Sequence, residues 1–231
     1  MRPLLLSLAL LLVVTGCDRE AEREAARQAA VERAEAAAAQ QAAQYEAARA
    51  EGNWSLAKSY ADVLLADHPD TRAAAAVAGT VEEVRARATA EREARRLEAL
   101  WTYHAEPAAG GTQRTAYLYA AEPAQPRVRV VLRRHPEWGQ SVYLLTDAGE
   151  FDCPRGCRVQ IAFGDAAPRA FAANKPKENL QALFIEDDAR FIRSLREAAE
   201  VVIEARHGGE PVALRFEVGG YDPARLDAGR P

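Results

Sequence analysis

Four histidines, a run of three acids and five serines are the side chains with which this sequence could do acid–base, metal or nucleophilic chemistry, and their spacing supports none of it. His68, His104, His135 and His207 are scattered, with no pair at the i, i+4 spacing that places two imidazoles on one helical face for a metal. Glu186-Asp187-Asp188 could ligate a cation, but the run directly precedes a helical pattern, where carboxylates satisfy the positive dipole end. Of Ser7, Ser55, Ser59, Ser141 and Ser194, none sits in a Gly-x-Ser-x-Gly elbow. Gly110-Gly111 and Gly219-Gly220 lack the flanking residues of a phosphate loop. The expectation is a protein that is not an enzyme and needs no cofactor or metal. Thirty Lys and Arg against thirty-four Asp and Glu give a formal charge of −4, so no basic excess is available to hold a nucleic acid.

A cluster of cations remains. Arg127, Arg129, Arg133 and Arg134 lie mainly on the exposed face of one strand-like run, near His135 and Trp138. Arginine presents forked donors that match carboxylate and phosphate groups. The cluster therefore reads either as a binding surface for an acidic protein partner, an anionic polymer such as a glycan, or a lipid headgroup, or as a solvated strand face paired with Glu on a neighbour. The polar loop Asn174 to Asn179 is a further recognition candidate, or a plain connector.

The elements that position these residues fall into two materials. From Asp18 to Leu100, 28 of 83 residues are Ala, and Glu, Arg and Gln fill most of the rest, all strong helix formers. Between Asp18 and Gly52 the only large apolar residues are Val31 and Tyr45, too few for a coiled-coil seam. That stretch reads as a solvated helical spacer about 50 Å long. Trp54, Ala57, Ala61, Leu64 and Leu65 then recur at helical spacing until Pro69, and a further helix is expected from about Thr71 to Leu97. After Trp101 apolar residues alternate instead. Val128, Val130 and Leu132 oppose Arg127, Arg129 and Arg133; Val159, Ile161 and Phe163 oppose Arg158 and Gln160; Val212, Leu214, Phe216 and Val218 oppose Arg215 and Glu217. One helix, capped at Asp188 and ending near Ala199, interrupts these strands. The fold class is α+β: an Ala-rich helical stalk and hairpin, then a mostly antiparallel sheet or sandwich with one late helix.

Met1-Arg2 followed by the apolar run Leu4 to Val14 has the dimensions of a secretory signal and is too short to span a bilayer. Its end, Val14-Thr15-Gly16-Cys17, resembles the bacterial lipoprotein processing site. The resemblance implies cleavage after residue 16, acylation of Cys17 and a stable tether to a membrane facing the periplasm. Asp18 behind the acylated residue resembles an inner-membrane retention signal. In that oxidising compartment Cys153 and Cys157 remain as an even pair, and a disulfide is expected, with Pro154 and Gly156 supplying the turn. Their three-residue separation is not that of a thioredoxin-like centre, and no second pair completes a zinc site.

Two further resemblances concern the halves. Gly52, Trp54, Ala57, Ala61, Leu64-Leu65 and Pro69, with Tyr45 and Ala48 on a preceding helix, are similar to one tetratricopeptide repeat, departing from its pattern at Gln41 where a large aromatic is usual. Such repeats stack in threes or more, so a single copy implies a hairpin in which Trp54, Tyr60, Leu64 and Leu65 pack internally or meet a partner. The stretch from Cys153 to Tyr221, with Phe191-Ile192-x-x-Leu195 and Phe216-Glu217-Val218-Gly219-Gly220, is similar to carboxy-terminal domains of envelope proteins, some associated with type VI secretion. That resemblance implies envelope-associated binding and carries over no catalytic residue. The expected organisation is a signal peptide over 1–16, a lipidated spacer over 17–52, a helical hairpin over 53–100 and a β-rich domain over 101–231.

Overall fold

The computed structural model describes the backbone of residues 14–121 and 126–227, and side chains from Arg19 onward. The signal segment lies outside the described residues, and Val14 to Cys17 enter only as backbone at the start of a helix. The chain divides into two compact units at Arg92/Glu93, inside a helix. Among the described residues no helix is long and apolar enough to cross a membrane.

The first unit contains α1 (Val14–Ala50), α2 (Trp54–Asp67), α3 (Arg72–Ala78) and most of α4 (Val81–Leu100). Gly52, at φ 71°, ends α1 in the left-handed conformation that glycine adopts without a Cβ penalty. Asn53 then caps α2 by accepting from the Leu56 amide at 3.2 Å. Residues 19–33 are exposed throughout. The final turns of α1 are not spacer, because Ala38, Tyr45 and Ala48 are buried against Ala57, Ala61 and Leu64 of α2, Ala74 and Val77 of α3, and Val81 and Val84 of α4. Small residues let the helices approach closely, and the Tyr45 hydroxyl bonds Thr80 Oγ1 at 2.8 Å. The single helix expected over 71–97 is two helices. Gly79-Thr80 breaks it, and Thr80 folds its amide back to the Val77 carbonyl at 2.9 Å. Leu64 is fully buried, while Trp54, Tyr60 and Leu65 are half-buried against the same core.

The second unit is a nine-stranded sheet in the order β1-β2-β3-β4-β7-β6-β5-β8-β9. Its strands are β1 (Thr102–Ala108), β2 (Gly111–Tyr119), β3 (Val128–His135), β4 (Gly139–Thr146), β5 (Cys157–Phe163), β6 (Arg169–Asn174), β7 (Ala182–Ile185), β8 (Glu200–His207) and β9 (Glu210–Glu217). Every neighbouring pair is antiparallel. The first four strands form a meander. The chain then crosses over to β5, returns through β6 and β7 to the side of β4, and ends in the β8–β9 hairpin beyond β5. The sheet curls, for Ala121 just after β2 donates its amide to the Arg215 carbonyl of β9 at 2.7 Å. Only the two edge strands contain proline, Pro107 in β1 and Pro211 in β9. A proline has no N–H for a ladder, so this is where a sheet tolerates it.

Leu118, Leu132, Leu144, Phe151, Ile161, Ile203 and Phe216 fill the concave side, closed by Phe191 and Leu195 of α5 (Asp188–Arg196) and Leu226 of α6 (Pro223–Asp227). α5 is capped by Asp187, which accepts from the Arg190 amide at 3.2 Å, one residue before the expected cap; the helix stops at Arg196 rather than near Ala199. Cys153 and Cys157 form a disulfide with Cα atoms 5.2 Å apart, across a turn holding Arg155 and Gly156 at positive φ. A ring this small contributes roughly 2 kcal/mol on the chain-loop model.

Within this unit the last turn of α4 and the chain after β9 meet at Gly220. A Cβ there would land inside the Leu97–Glu98 backbone. Gly220→Ala is therefore expected to destabilise the protein by about 3 kcal/mol, read as a lowered urea midpoint; an unchanged midpoint would show that the two segments do not touch. Tyr221 beside it packs on Trp101 with ring centroids 5.1 Å apart, and burial pushes its phenol up to about 12, with Asp227 adding to the effect. Unfolded, the phenol ionises near 10. The folded state keeps the proton longer, so this contribution is intact below about pH 10 and is lost as pH rises towards 12. After allowance for partial exposure, unfolding free energy should fall by about 2 kcal/mol across that window, and Tyr221→Phe should flatten the fall. A profile that is the same with and without the hydroxyl would contradict this.

Candidate functional site

Strand β3 sends successive side chains to opposite faces of the sheet. Val128, Val130 and Leu132 enter the core, and Arg129 and Arg133 face outward, with Arg127 just ahead of the strand. Register extends the outward face sideways. Tyr117 of β2, Val131 of β3, Tyr143 of β4 and Phe184 of β7 form one row across four strands. Tyr119, Arg129 and Leu145 form the next, and Thr115, Arg133 and Ser141 lie in the row on the other side.

The rings hold the cations. The Arg127 guanidinium carbon stands 3.9 Å from the centroid of Tyr119. Arg129 lies over Tyr117 at 4.8 Å and approaches the Tyr119 hydroxyl at 3.5 Å. Arg133 is within 5.5–5.9 Å of Trp138, Tyr143 and Phe184, and donates from Nε to Ser141 Oγ at 3.1 Å. Among the described residues none of the three guanidinium groups forms an ion pair with a carboxylate, although Asp147 Oδ1 accepts from the Arg127 backbone amide at 2.9 Å and Glu106 lines the depression beside Arg129. Elsewhere on the same unit arginines are paired, Arg96 with Glu217 at 2.6 Å and Arg215 with Glu200 at 2.5 Å. Tyr143 stacks on Phe184 with centroids 4.8 Å apart; burial raises its phenol pKa, and Arg133 and Arg129 pull it partly back.

Arg134 departs from the expected surface. Its even position places it on the other side of β3, where it pairs with Asp227 of α6. Trp138 sits in the β3–β4 turn, 67% exposed, with its ring stacked on His135 at 3.8 Å. His135 Nδ1 accepts from the amides of Glu137 and Trp138 at 3.2 and 3.3 Å, which fixes the turn. Beside the arginine row a shallow depression of about 400 Å³ is lined by His104, Glu106, Gln113, Thr115, Tyr117, Arg129 and Tyr143, with Gln113 Nε2 donating to Glu106 Oε1 at 2.5 Å. The sequence reading missed Tyr117, Tyr119, Tyr143 and Phe184. Their signal was available in part, since Tyr117 and Tyr119 alternate with Ala116 and Leu118, and Tyr143 with Val142 and Leu144.

The other candidates are tied into the fold. Lys175 of the polar loop pairs with Glu150 at 2.7 Å. Asp187 caps a helix. His207 bonds the Ala148 carbonyl at 3.0 Å. Among the described residues no group of three His, Cys, Asp or Glu is placed to hold a metal ion. In the helical unit, Arg87 covers the Trp54 ring at 4.5 Å. A second concavity, about 510 Å³, lies between the β5–β6 hairpin and α5, with Phe163, Phe171, Arg169, Arg190, Ser194 and Glu197 around it.

Compared with known proteins, the chain matches no protein-family model and no curated sequence. Among solved structures it is similar to invasion associated protein B from Bartonella henselae, with 16% identity and a TM-score of 0.41 over 56% of this chain and 91% of that one. A likeness of that size bears on neither activity nor partner.

The cation–ring contacts are testable without a ligand. Arg133→Gln removes a charge that favours the Tyr143 phenolate, so the Tyr143 titration should move to higher pH, read as phenolate absorbance after subtraction of a Tyr143→Phe control. If the midpoint stays in place, Arg133 does not stand over that ring.

Proposed function

We propose that this protein is a bacterial envelope lipoprotein, tethered through acylated Cys17 and facing the periplasm, that binds rather than catalyses. Its β-rich unit presents the Arg127/Arg129/Arg133 face to an anionic partner. The observation that carries the binding half is the row of arginines held against aromatic rings, with no guanidinium–carboxylate ion pair among the described residues. Unpaired, ordered guanidinium groups are suited to carboxylate or phosphate recognition. The processing-site resemblance at Val14-Thr15-Gly16-Cys17 supports the tether, Asp18 favours the inner membrane, and the Cys153–Cys157 disulfide is the form expected of a protein in an oxidising compartment. The helical hairpin is the weaker candidate for the partner surface, because Leu64 is buried and Trp54 lies beneath Arg87.

Cys17→Ser is expected to move the protein from the membrane to the soluble periplasmic fraction, and full membrane retention would overturn the anchoring. In that soluble form, Arg127→Gln/Arg129→Gln/Arg133→Gln should weaken retention on a polyanionic matrix at least tenfold, about 1.4 kcal/mol. Equal retention of the two forms would remove the arginine face from the function, and loss of retention on deleting residues 18 to 100 alone would move it to the helices.

A further inference from the structure

We propose that the occupant of this face is an extended acidic polysaccharide lying along β3, gripped at successive negative groups by Arg127, Arg129 and Arg133 and stacked on Trp138. The inference rests on the anion-binding reading above and names its ligand class. Three features of the face point to it.

The first is the length of the cationic row. The three arginines are two and four residues apart, and at about 3.3 Å per strand residue they cover roughly 20 Å. No compact anion bridges that distance, whereas a polymer with repeated carboxylates or sulfates meets all three. The second is the company the cations keep. The depression beside them offers His104 and Thr115, and Glu106 with Gln113 donating to it, as groups that exchange hydrogen bonds with sugar hydroxyls, the single carboxylate lying to the side of the arginine row. Trp138, 67% exposed and braced by His135, offers a flat apolar ring on which the C–H face of a sugar can lie. The third is what the face lacks. A protein partner needs pockets for buried anchors or a free strand edge. This depression is shallow, and β1, the edge strand beside it, carries Pro107.

The test uses the full mature chain carrying Cys17→Ser and calorimetric titration with oligogalacturonates of increasing length. Affinity should rise with length until the oligomer spans the arginine row, then level off. Log affinity should fall against log salt with a slope of about −2 for three contacts on a flexible polyanion, and each of Arg127→Gln, Arg129→Gln and Arg133→Gln should reduce the slope by about 0.7. Arg134→Gln, on the opposite side of the strand, should leave the slope unchanged. Trp138→Ala should weaken binding about tenfold at constant slope. Thermal midpoints of all variants establish that they are folded. If the uronate monomer binds as tightly as the oligomers, or if polyaspartate or anionic phospholipid vesicles bind more tightly than the longest oligomer, the polysaccharide assignment fails while anion binding by the three arginines stands. If none of these polyanions binds, or the arginine variants bind as the parent does, the anion-binding reading falls with it.

Discussion

Side chains of a β-strand alternate between faces, and on β3 this alternation separates the hydrophobic core from the charged surface within eight residues. Val128, Val130 and Leu132 point inward while Arg129 and Arg133 point outward. A register slip of one residue would exchange the two sets. Two guanidinium groups would then enter a core of Leu118, Leu144 and Phe216 at a cost of several kcal/mol each. The same constraint fixes β2 and β4 on either side, because Ala116 and Leu118 share the core with Val142 and Leu144. Tyr117, Tyr119 and Tyr143 are thereby forced onto the arginine side. Val131 is the exception that shows how closely that side is covered: it faces outward and is only 3% exposed, beneath the ring and arginine rows.

An arginine on an open strand would have many rotamers and would lose about 2 kcal/mol of side-chain entropy on being fixed by a ligand. Here the rings restrict it beforehand. Each cation–ring contact is worth about 0.5–1 kcal/mol at an exposed site, enough to favour one orientation without neutralising the charge. A carboxylate neighbour would order the side chain equally well but would occupy its donors, as Glu217 does for Arg96. Aromatic and acidic neighbours therefore have opposite consequences for an arginine: one leaves a free fork, the other a closed pair.

How much of this was legible in the sequence depended on whether a feature is local. The period-two runs of β3, β5 and β9 and the Ala-rich helical segment follow from residue type and spacing, and they gave the α+β class. The disulfide followed from two cysteines left as an even pair in the oxidising compartment that the processing-site resemblance implies, with Pro154 and Gly156 in the turn between them. β1 was missed because its apolar side, Tyr103, Ala105 and Pro107, holds one large residue and a proline; it pairs because β2 lies beside it. The core role of Ala38, Tyr45 and Ala48 was hidden by composition, since alanine reads as surface helix until small residues on α2 and α3 meet it. The arginines of the candidate site were visible on their own strand. The rings that hold them come from β2, β4 and β7, and the 4-7-6-5 strand order that brings β7 beside β4 is not written in any one segment. Arg134 was misplaced for the reverse reason: its neighbours in sequence are outward arginines, but its even position turns it to Asp227.

The prolines at the two margins of the sheet bear on how such molecules behave in company. An edge strand is a template for the edge of a second molecule, and at β9 the chain after β2 already covers part of it through the Ala121–Arg215 bond. Pro107 and Pro211 each remove a donor from a rim and from no interior strand, so neither border presents an unbroken ladder of amides. Two copies meeting edge to edge therefore find the ladder interrupted, which disfavours their joining into one continuous ribbon.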